Sequence, residues 1–303
     1  MQTNVDVVTG AFSYTGRYIA QRLLVAGRTV RTLTNHPERP HRFGAAITAY
    51  PYSFDRPEKL ASSLRGAETL YCTYWIRYPH GTQTYEKAIQ NSDSLFQAAK
   101  EAGIRRIVHV SIANPSLSSP LGYYSGKARV EEALQKSGVS YAILRPTVVF
   151  GREDILINNI AWMIRHFPIF AVPGDGTYKL QPIYVEDFAD ALVAAGNERA
   201  NVIRDAVGPE TFSFDELLEI IARELGKHIH IVHAGPTLIY CATSLLGQFL
   251  GDIILTREEI QGLMDNLLAS KEPALGKMHL STWIKNNKGT LGKHYASEIK
   301  RHF

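Results

Sequence analysis

Short apolar runs alternate with longer segments of helical period through the first 150 residues. Residues 4–9, 29–33, 47–51, 68–72, 105–110 and 141–144 are apolar stretches of strand length. Between them, residues 15–26, 57–64, 83–102 and 125–136 repeat apolar positions at the helical spacing. Gly27, Gly103 and the pair Ser137-Gly138 supply stop signals for three of those helices. Strands separated by helices predict parallel βαβ units, hence an α/β fold with a doubly wound parallel Rossmann sheet. Ligands of such sheets bind beyond the carboxyl ends of the strands, so those ends carry the candidate chemistry.

After residue 150 the rhythm changes. Residues 155–167 read as a helix, 173–176 as a turn, 185–195 as a helix and 204–207 as a strand. Ser213-Phe214-Asp215-Glu216 has the spacing of a capping box, and the chain from Gly235 onward reads as mostly helical. The expected division is a nucleotide-binding domain over 1–150, with 178–208 returning to it. A smaller, mostly helical substrate region would take 151–177 and 209–303. There is no internal repeat and no low-complexity linker.

Composition narrows the class. The 303 residues are 45% hydrophobic and 20% charged, which excludes a disordered, collagenous or disulfide-stapled chain. A net charge of +4, spread along the chain without basic blocks, argues against a nucleic-acid partner. Cys72 and Cys241 lie far apart, and the 11 histidines form no ligand spacing, so no metal site is expected. No signal peptide is read at the start. Residues 237–255 approach the roughly 20-residue length of a membrane span. Gly247, Gln248, Gly251 and Asp252 interrupt that stretch, which predicts a buried or partner-facing helix and a cytoplasmic protein without an integral span.

The first strand runs into Thr9-Gly10-Ala11-Phe12-Ser13-Tyr14-Thr15-Gly16. Gly10 permits the tight turn and Gly16 close approach of the helix to the sheet. The backbone of Phe12, Ser13, Tyr14, Thr15 and Gly16 is then placed to hold a pyrophosphate at the helix start. Ser13 replaces the middle glycine of such a loop, and its hydroxyl is a further candidate phosphate donor.

Tyr123-Tyr124-Ser125-Gly126-Lys127 contains Tyr-x-x-x-Lys, and helical residues four apart share a face. An ammonium beside a phenol stabilises the phenolate, so Tyr123 can exchange a proton with a substrate oxygen. Ser111, at the end of the fifth strand, is positioned to hydrogen-bond that oxygen. Tyr124 competes for the role, but only Tyr123 has the spacing to Lys127.

These motifs, with the segments IVHVSIANPS from Ile107, LRPTVVFG from Leu144 and QPIYVEDFADALVAA from Gln181, resemble the short-chain dehydrogenase/reductase superfamily. The likeness is nearest to its extended and atypical branches, the epimerase/dehydratase-like, NmrA-like and complex I 39-kDa-subunit-like proteins. The resemblance implies an NAD(P)(H)-dependent oxidoreductase with Ser111, Tyr123 and Lys127 as its catalytic set, Lys127 also holding the nicotinamide ribose. It implies that Asp55 meets the adenine, although the same aspartate reads equally as the N-cap of the next helix. It also sets the backbone of Pro146 and Thr147 beside the nicotinamide and Asn158 near the substrate. The second strand ends in Leu33-Thr34-Asn35-His36, without the acid that would favour NAD. With Arg17, Arg39 and Arg42 nearby, NADP is the expected cofactor and NAD the alternative.

One departure matters. Where sugar-nucleotide epimerases carry a pyrophosphate-binding arginine, this chain has Leu180, with Lys179 adjacent. Tyr74 and Trp75 instead favour a small, fairly apolar carbonyl or alcohol. Two readings compete: an NAD-dependent epimerase or dehydratase, and a non-catalytic NAD(P)H-binding sensor or assembly factor. The oligomeric state is open, a homodimer being the first assembly to test.

Overall fold

The computed structural model describes residues 4–299. In chain order the first half contains β1 (Val5–Thr9), α1 (Tyr14–Val25), β2 (Thr29–Thr34), β3 (Ile47–Pro51), α2 (Pro57–Leu64), β4 (Thr69–Cys72), α3 (Tyr85–Glu101), β5 (Arg106–Val110), α4 (Gly122–Lys136) and β6 (Ser140–Pro146). Then follow β7 (Val149–Phe150), α5 (Leu156–His166), β8 (Ile169–Pro173), β9 (Lys179–Leu180), β10 (Ile183–Tyr184), α6 (Val185–Asn197) and β11 (Val202–Ala206). The chain continues through β12 (Phe212–Ser213), α7 (Phe214–Glu224), β13 (His230–Ala234), α8 (Pro236–Leu250), α9 (Arg257–Met264) and α10 (Leu280–Asn287).

Two compact units result. The first runs to Pro146 and resumes over Phe188–Asp205; the second takes Thr147–Asp187 and the chain from Ala206. In the first, seven strands are ordered β11-β6-β5-β4-β1-β2-β3. β1 pairs in parallel with both β2 and β4, so the chain winds outward from this interior strand and then reverses. The crevice between β1 and β4 is therefore the topological switch point where α/β sheets bind ligands. Val7, Leu33, Leu70, Ile107 and Ile143 come from five adjacent strands and pack with Leu95, Phe96, Val130 and Leu134 of α3 and α4 in one buried cluster.

A buried cation ties the returning segment to this sheet. Arg106 is fully buried, and its guanidinium donates to the Ala195 and Ala200 carbonyls at 2.7 and 2.9 Å and to the Ser140 hydroxyl at 2.7 Å. Arg105 adds a bond to the Gly196 carbonyl at 2.9 Å. Both arginines thus satisfy carbonyls at the C-terminal end of α6, where a helix lacks internal donors and its dipole favours a cation.

The return begins at Phe188 rather than at residue 178. Residues 178–187 stay in the second unit because β9 pairs with β12 and β10 with β7, all inside that unit. Its core gathers Phe150, Ile157, Ile164, Leu180, Phe214, Leu217 and Trp283. It is less purely helical than its periodicity suggests, since β8 and β13 also form a parallel pair over five residues each. The expected capping box is realised, Ser213 with Glu216 opening α7, and the structure adds a second, Thr256 with Glu259, opening α9.

Candidate dinucleotide site

Three threonines fix the turn between β1 and α1. The Thr32 hydroxyl donates to the Val8 carbonyl at 2.7 Å and accepts from Ala11 N–H at 3.0 Å. Thr73, just past β4, donates its hydroxyl to the Thr9 carbonyl at 2.6 Å, and its N–H reaches the Thr9 hydroxyl at 2.7 Å. The second pair spans the crevice between β1 and β4. Gly10 turns at φ 62°, a conformation glycine adopts freely. At Gly16 a Cβ would come within 2.2 Å of the Gly10 carbonyl oxygen, so a side chain there would break the turn.

The start of α1 is open to an anion. Its N-cap, Ser13, makes no side-chain capping bond, and no acid lies in its first turn. The leading N–H groups of the helix therefore lack internal acceptors and meet no negative charge. The Ser13 hydroxyl, a candidate phosphate donor by sequence, instead donates to the Gly10 carbonyl at 2.6 Å. It shapes the turn. A pyrophosphate fits this cradle of Phe12, Ser13, Tyr14, Thr15 and Gly16.

At the end of β2, the Thr34 hydroxyl accepts from His36 N–H at 3.2 Å and Asn35 is exposed. The ring of Phe12 stacks on His41 at 3.7 Å between centroids. Arg42 reaches Gln21 at 2.7 Å. Asp55 is exposed and lies 3.4 Å from Arg56. It does not cap α2, whose N-cap is Arg56 without a side-chain bond. The capping reading of Asp55 is thereby corrected: α2 begins at Pro57 as its pattern predicts, and the N-cap position falls on Arg56.

Beyond β5, Ser111 is 3% exposed and its hydroxyl has no hydrogen-bond partner. The following loop turns at Asn114, φ 55°, and Ala113 N–H donates to the Pro146 carbonyl at 2.8 Å. Tyr123 and Lys127 lie one turn apart on α4, and the less buried tyrosine of the adjacent pair is Tyr123. Lys127 is 2% exposed; its ammonium donates to the Val110 carbonyl at 2.8 Å and stands 4.8 Å from the Trp75 ring centre. Burial pushes this amine down to about 7, against the raising influence of Cys72 and Glu131.

Trp75 is the hub of an aromatic group. It stacks on Tyr85 and meets Tyr123 edge-on, each at 5.9 Å between centroids. Gly126 makes room for it, since a Cβ there would come 2.9 Å from the indole. Tyr74 belongs to a neighbouring group with Tyr52 and Phe54, and its hydroxyl accepts from Asn91 at 2.8 Å. Sequence reasoning missed His109. It is fully buried on β5, and burial, reinforced by the Lys127 charge, holds its imidazole well below the usual range. Ser111 follows it by two positions, one residue past the end of β5.

Two residues expected near the site lie in the second unit with their polar groups engaged there. The Thr147 hydroxyl donates to the Gln181 carbonyl. The Asn158 amide binds the Asp154 carboxylate at 3.0 Å and helps hold the turn before α5. Among the described residues no cluster of His, Cys, Asp or Glu could hold a metal ion, and no helix is long and apolar enough to cross a membrane.

Residues 10–155 match a family model described as NAD(P)H-binding. The chain is 29% identical over 228 residues to a mitochondrial NADH dehydrogenase (ubiquinone) 1 alpha subcomplex subunit 9 of Arabidopsis thaliana. That alignment covers 72% of this chain and 57% of the plant protein, so the chain spans little more than half the length of this relative. Among solved structures it resembles a triphenylmethane reductase of Citrobacter, with TM-score 0.79 and 16% identity over 94% of this chain and 100% of that one. An NADPH-dependent quinone oxidoreductase of Escherichia coli, complexed with NADPH, matches with TM-score 0.77 and 19% identity over 93% and 99% of the two chains. Sequence match, sheet order and glycine turn agree: the first unit has the parallel α/β fold of dinucleotide-binding domains, and residues 10–155 within it and just beyond are similar to NAD(P)H-binding proteins.

Proposed function

We propose that the protein is an NAD(P)H-dependent oxidoreductase acting on a small, fairly apolar carbonyl or alcohol. The reading is supported by the presence, in one unit, of the α1 turn with Ser111 just past β5 and Tyr123 and Lys127 one turn apart in the first half of α4. The bound nicotinamide supplies hydride chemistry. Tyr123 exchanges the proton with the substrate oxygen, Ser111 donates a hydrogen bond to that oxygen, and Lys127 biases the phenol towards its anion. The aromatic group around Trp75 favours an apolar substrate. Leu180 is fully buried in β9, so the position of the epimerase arginine offers no contact to a sugar-nucleotide pyrophosphate. NADP is the preferred cofactor, because β2 ends without an acid and Arg39 and Arg42 follow it, both exposed. Asp55 at the adenine and Pro146 at the nicotinamide complete the assigned contacts.

A second reading, a nucleotide-binding subunit or assembly factor without turnover, is favoured by two observations. The Arabidopsis relative is named as a subunit of a larger enzyme, and Lys127 here is turned onto the Val110 carbonyl and Trp75. Calorimetric titration with NADPH and NADH, followed by turnover against a panel of aldehydes, ketones and quinones, separates the two. The oxidoreductase reading expects tighter NADPH binding and reproducible NADPH oxidation. Tight binding with no oxidation across the panel would overturn it in favour of the second.

A further inference from the structure

Lys127 is a buried cation with no ion pair among the described residues. Its ammonium donates one hydrogen bond, to the Val110 carbonyl at 2.8 Å. A buried charge is tolerated only when it is paired or well hydrogen-bonded. The titratable groups that face it from β4, from β5 and from its own helix supply no free anion. Cys72 on β4 is fully buried, and burial pushes its thiol up to about 11, so it stays protonated at neutral pH. His109 on β5 is held neutral by burial. Glu131, one turn further along α4, is already engaged by Arg145 through bonds at 2.9 and 2.5 Å.

What does meet the ammonium is a ring face. The Trp75 indole, in the loop after β4, has its centre 4.8 Å from the Lys127 nitrogen, within cation–π range. Three contacts hold the ring there. It stacks on Tyr85 at an interplanar angle of 9°, it meets Tyr123 at 88°, and Gly126, the chain neighbour of Lys127, leaves it room. Its own N–H is buried and has no hydrogen-bond partner. A buried tryptophan ordinarily pairs that donor. Here packing places the ring by its face, and Lys127 receives that face.

We propose that Trp75 is a positioning residue of the reaction: its indole face stands in for the missing carboxylate, keeping the Lys127 amine charged and one helical turn from Tyr123. A ring face carries the negative part of the aromatic quadrupole, and its pull on a cation grows as water is excluded. The indole also has an opposite effect, because a cover that excludes water favours the neutral amine. The proposal is that the first effect prevails. The amine stabilises the Tyr123 phenolate only while protonated, so Trp75 extends the pH range of proton transfer upward. That consequence rests on the oxidoreductase reading; the hold of Trp75 on Lys127 does not.

The test follows the Lys127 amine directly. The full chain is labelled at lysine Cε and titrated by NMR, the Lys127 signal being identified by its loss in Lys127→Met. Trp75→Leu removes the ring face, and Trp75→Phe keeps a weaker one. Gly126→Ala keeps the indole but displaces it, since the new Cβ would lie 2.9 Å from the ring. The wild-type midpoint is expected at about 7. It should fall by about one pH unit or more in Trp75→Leu and by less in Trp75→Phe. A fall in Gly126→Ala as well carries the test should Trp75→Leu fail to fold. A midpoint that stays put in these variants, or rises in Trp75→Leu, would overturn the proposal and leave the indole only the exclusion of water. The high-pH limb of NADPH oxidation should move with the midpoint. If the midpoints fall as stated while neither wild type nor any variant oxidises NADPH, the oxidoreductase reading fails and the hold of Trp75 on Lys127 stands.

Discussion

At the scale of single residues the site is governed by what two positions lack and what one buried cation tolerates. Gly16 has no Cβ, and any side chain there would sit 2.2 Å from the Gly10 carbonyl oxygen. Gly16→Ala should therefore force α1 off the turn, costing about 1–3 kcal/mol of stability by overpacking and reducing NADPH affinity by tenfold or more. Calorimetric titration and a thermal melt read both effects. Gly126 plays the corresponding part for Trp75, which in turn covers the Lys127 ammonium. Lys127 gives a signed pH prediction. Its folded value is about 7, below that of an ordinary exposed lysine, so the unfolded chain holds this proton more tightly. Stability should rise as pH climbs from about 7 towards the ordinary lysine range, and below about 7 the full cost of a buried charge is present. Lys127→Met should remove that rise, read as urea midpoints across the interval. A rise of equal size in the variant would assign the dependence to other groups.

At the scale of elements, local chemistry fixes the helix starts more firmly than the strands of the second unit. Ser213 accepts from Glu216 N–H at 3.2 Å while the Glu216 carboxylate accepts from Ser213 N–H at 2.6 Å. Ser213→Ala should cost about 1 kcal/mol, measurable as a lowered urea midpoint at unchanged slope, whereas an equally placed change outside the box should cost almost nothing. This box was legible in four consecutive letters, as was the turn at Gly10 to Gly16, because both depend on nearest neighbours. β3 and α2 match their apolar patterns residue for residue, and the other elements of the first sheet do so within a few residues. The two-residue strands β7, β9, β10 and β12 were not legible, since a period of two cannot register in two residues. Their pairing is set by distant chain: β9 meets β12 across more than thirty residues of sequence. β8 and β13 escaped notice for another reason. Pro173 closes one, and three histidines mark the stretch leading into and through the other. At the site, the Tyr123–Lys127 spacing was readable, but the turn of the ammonium onto Val110 and Trp75 was not, because Trp75 lies 52 positions away along the chain.

At the scale of the molecule, the chain builds a seven-stranded nucleotide-binding unit, leaves it after Pro146, and returns to it from Phe188 to Asp205. Arg106 makes that return part of the same fold by meeting the carbonyls of Ala195 and Ala200. The second unit carries an apolar core of its own. The central claim is that Tyr123 moves a proton while the bound cofactor undergoes redox chemistry, and one measurement addresses it most directly. NADPH oxidation is followed with the best carbonyl or quinone acceptor for wild type and Tyr123→Phe, with NADPH affinity measured on the same samples. Loss of a positioned proton donor should slow turnover by about 10²–10⁴-fold while the affinity for NADPH stays within about twofold. Turnover by Tyr123→Phe at the wild-type rate would contradict the account.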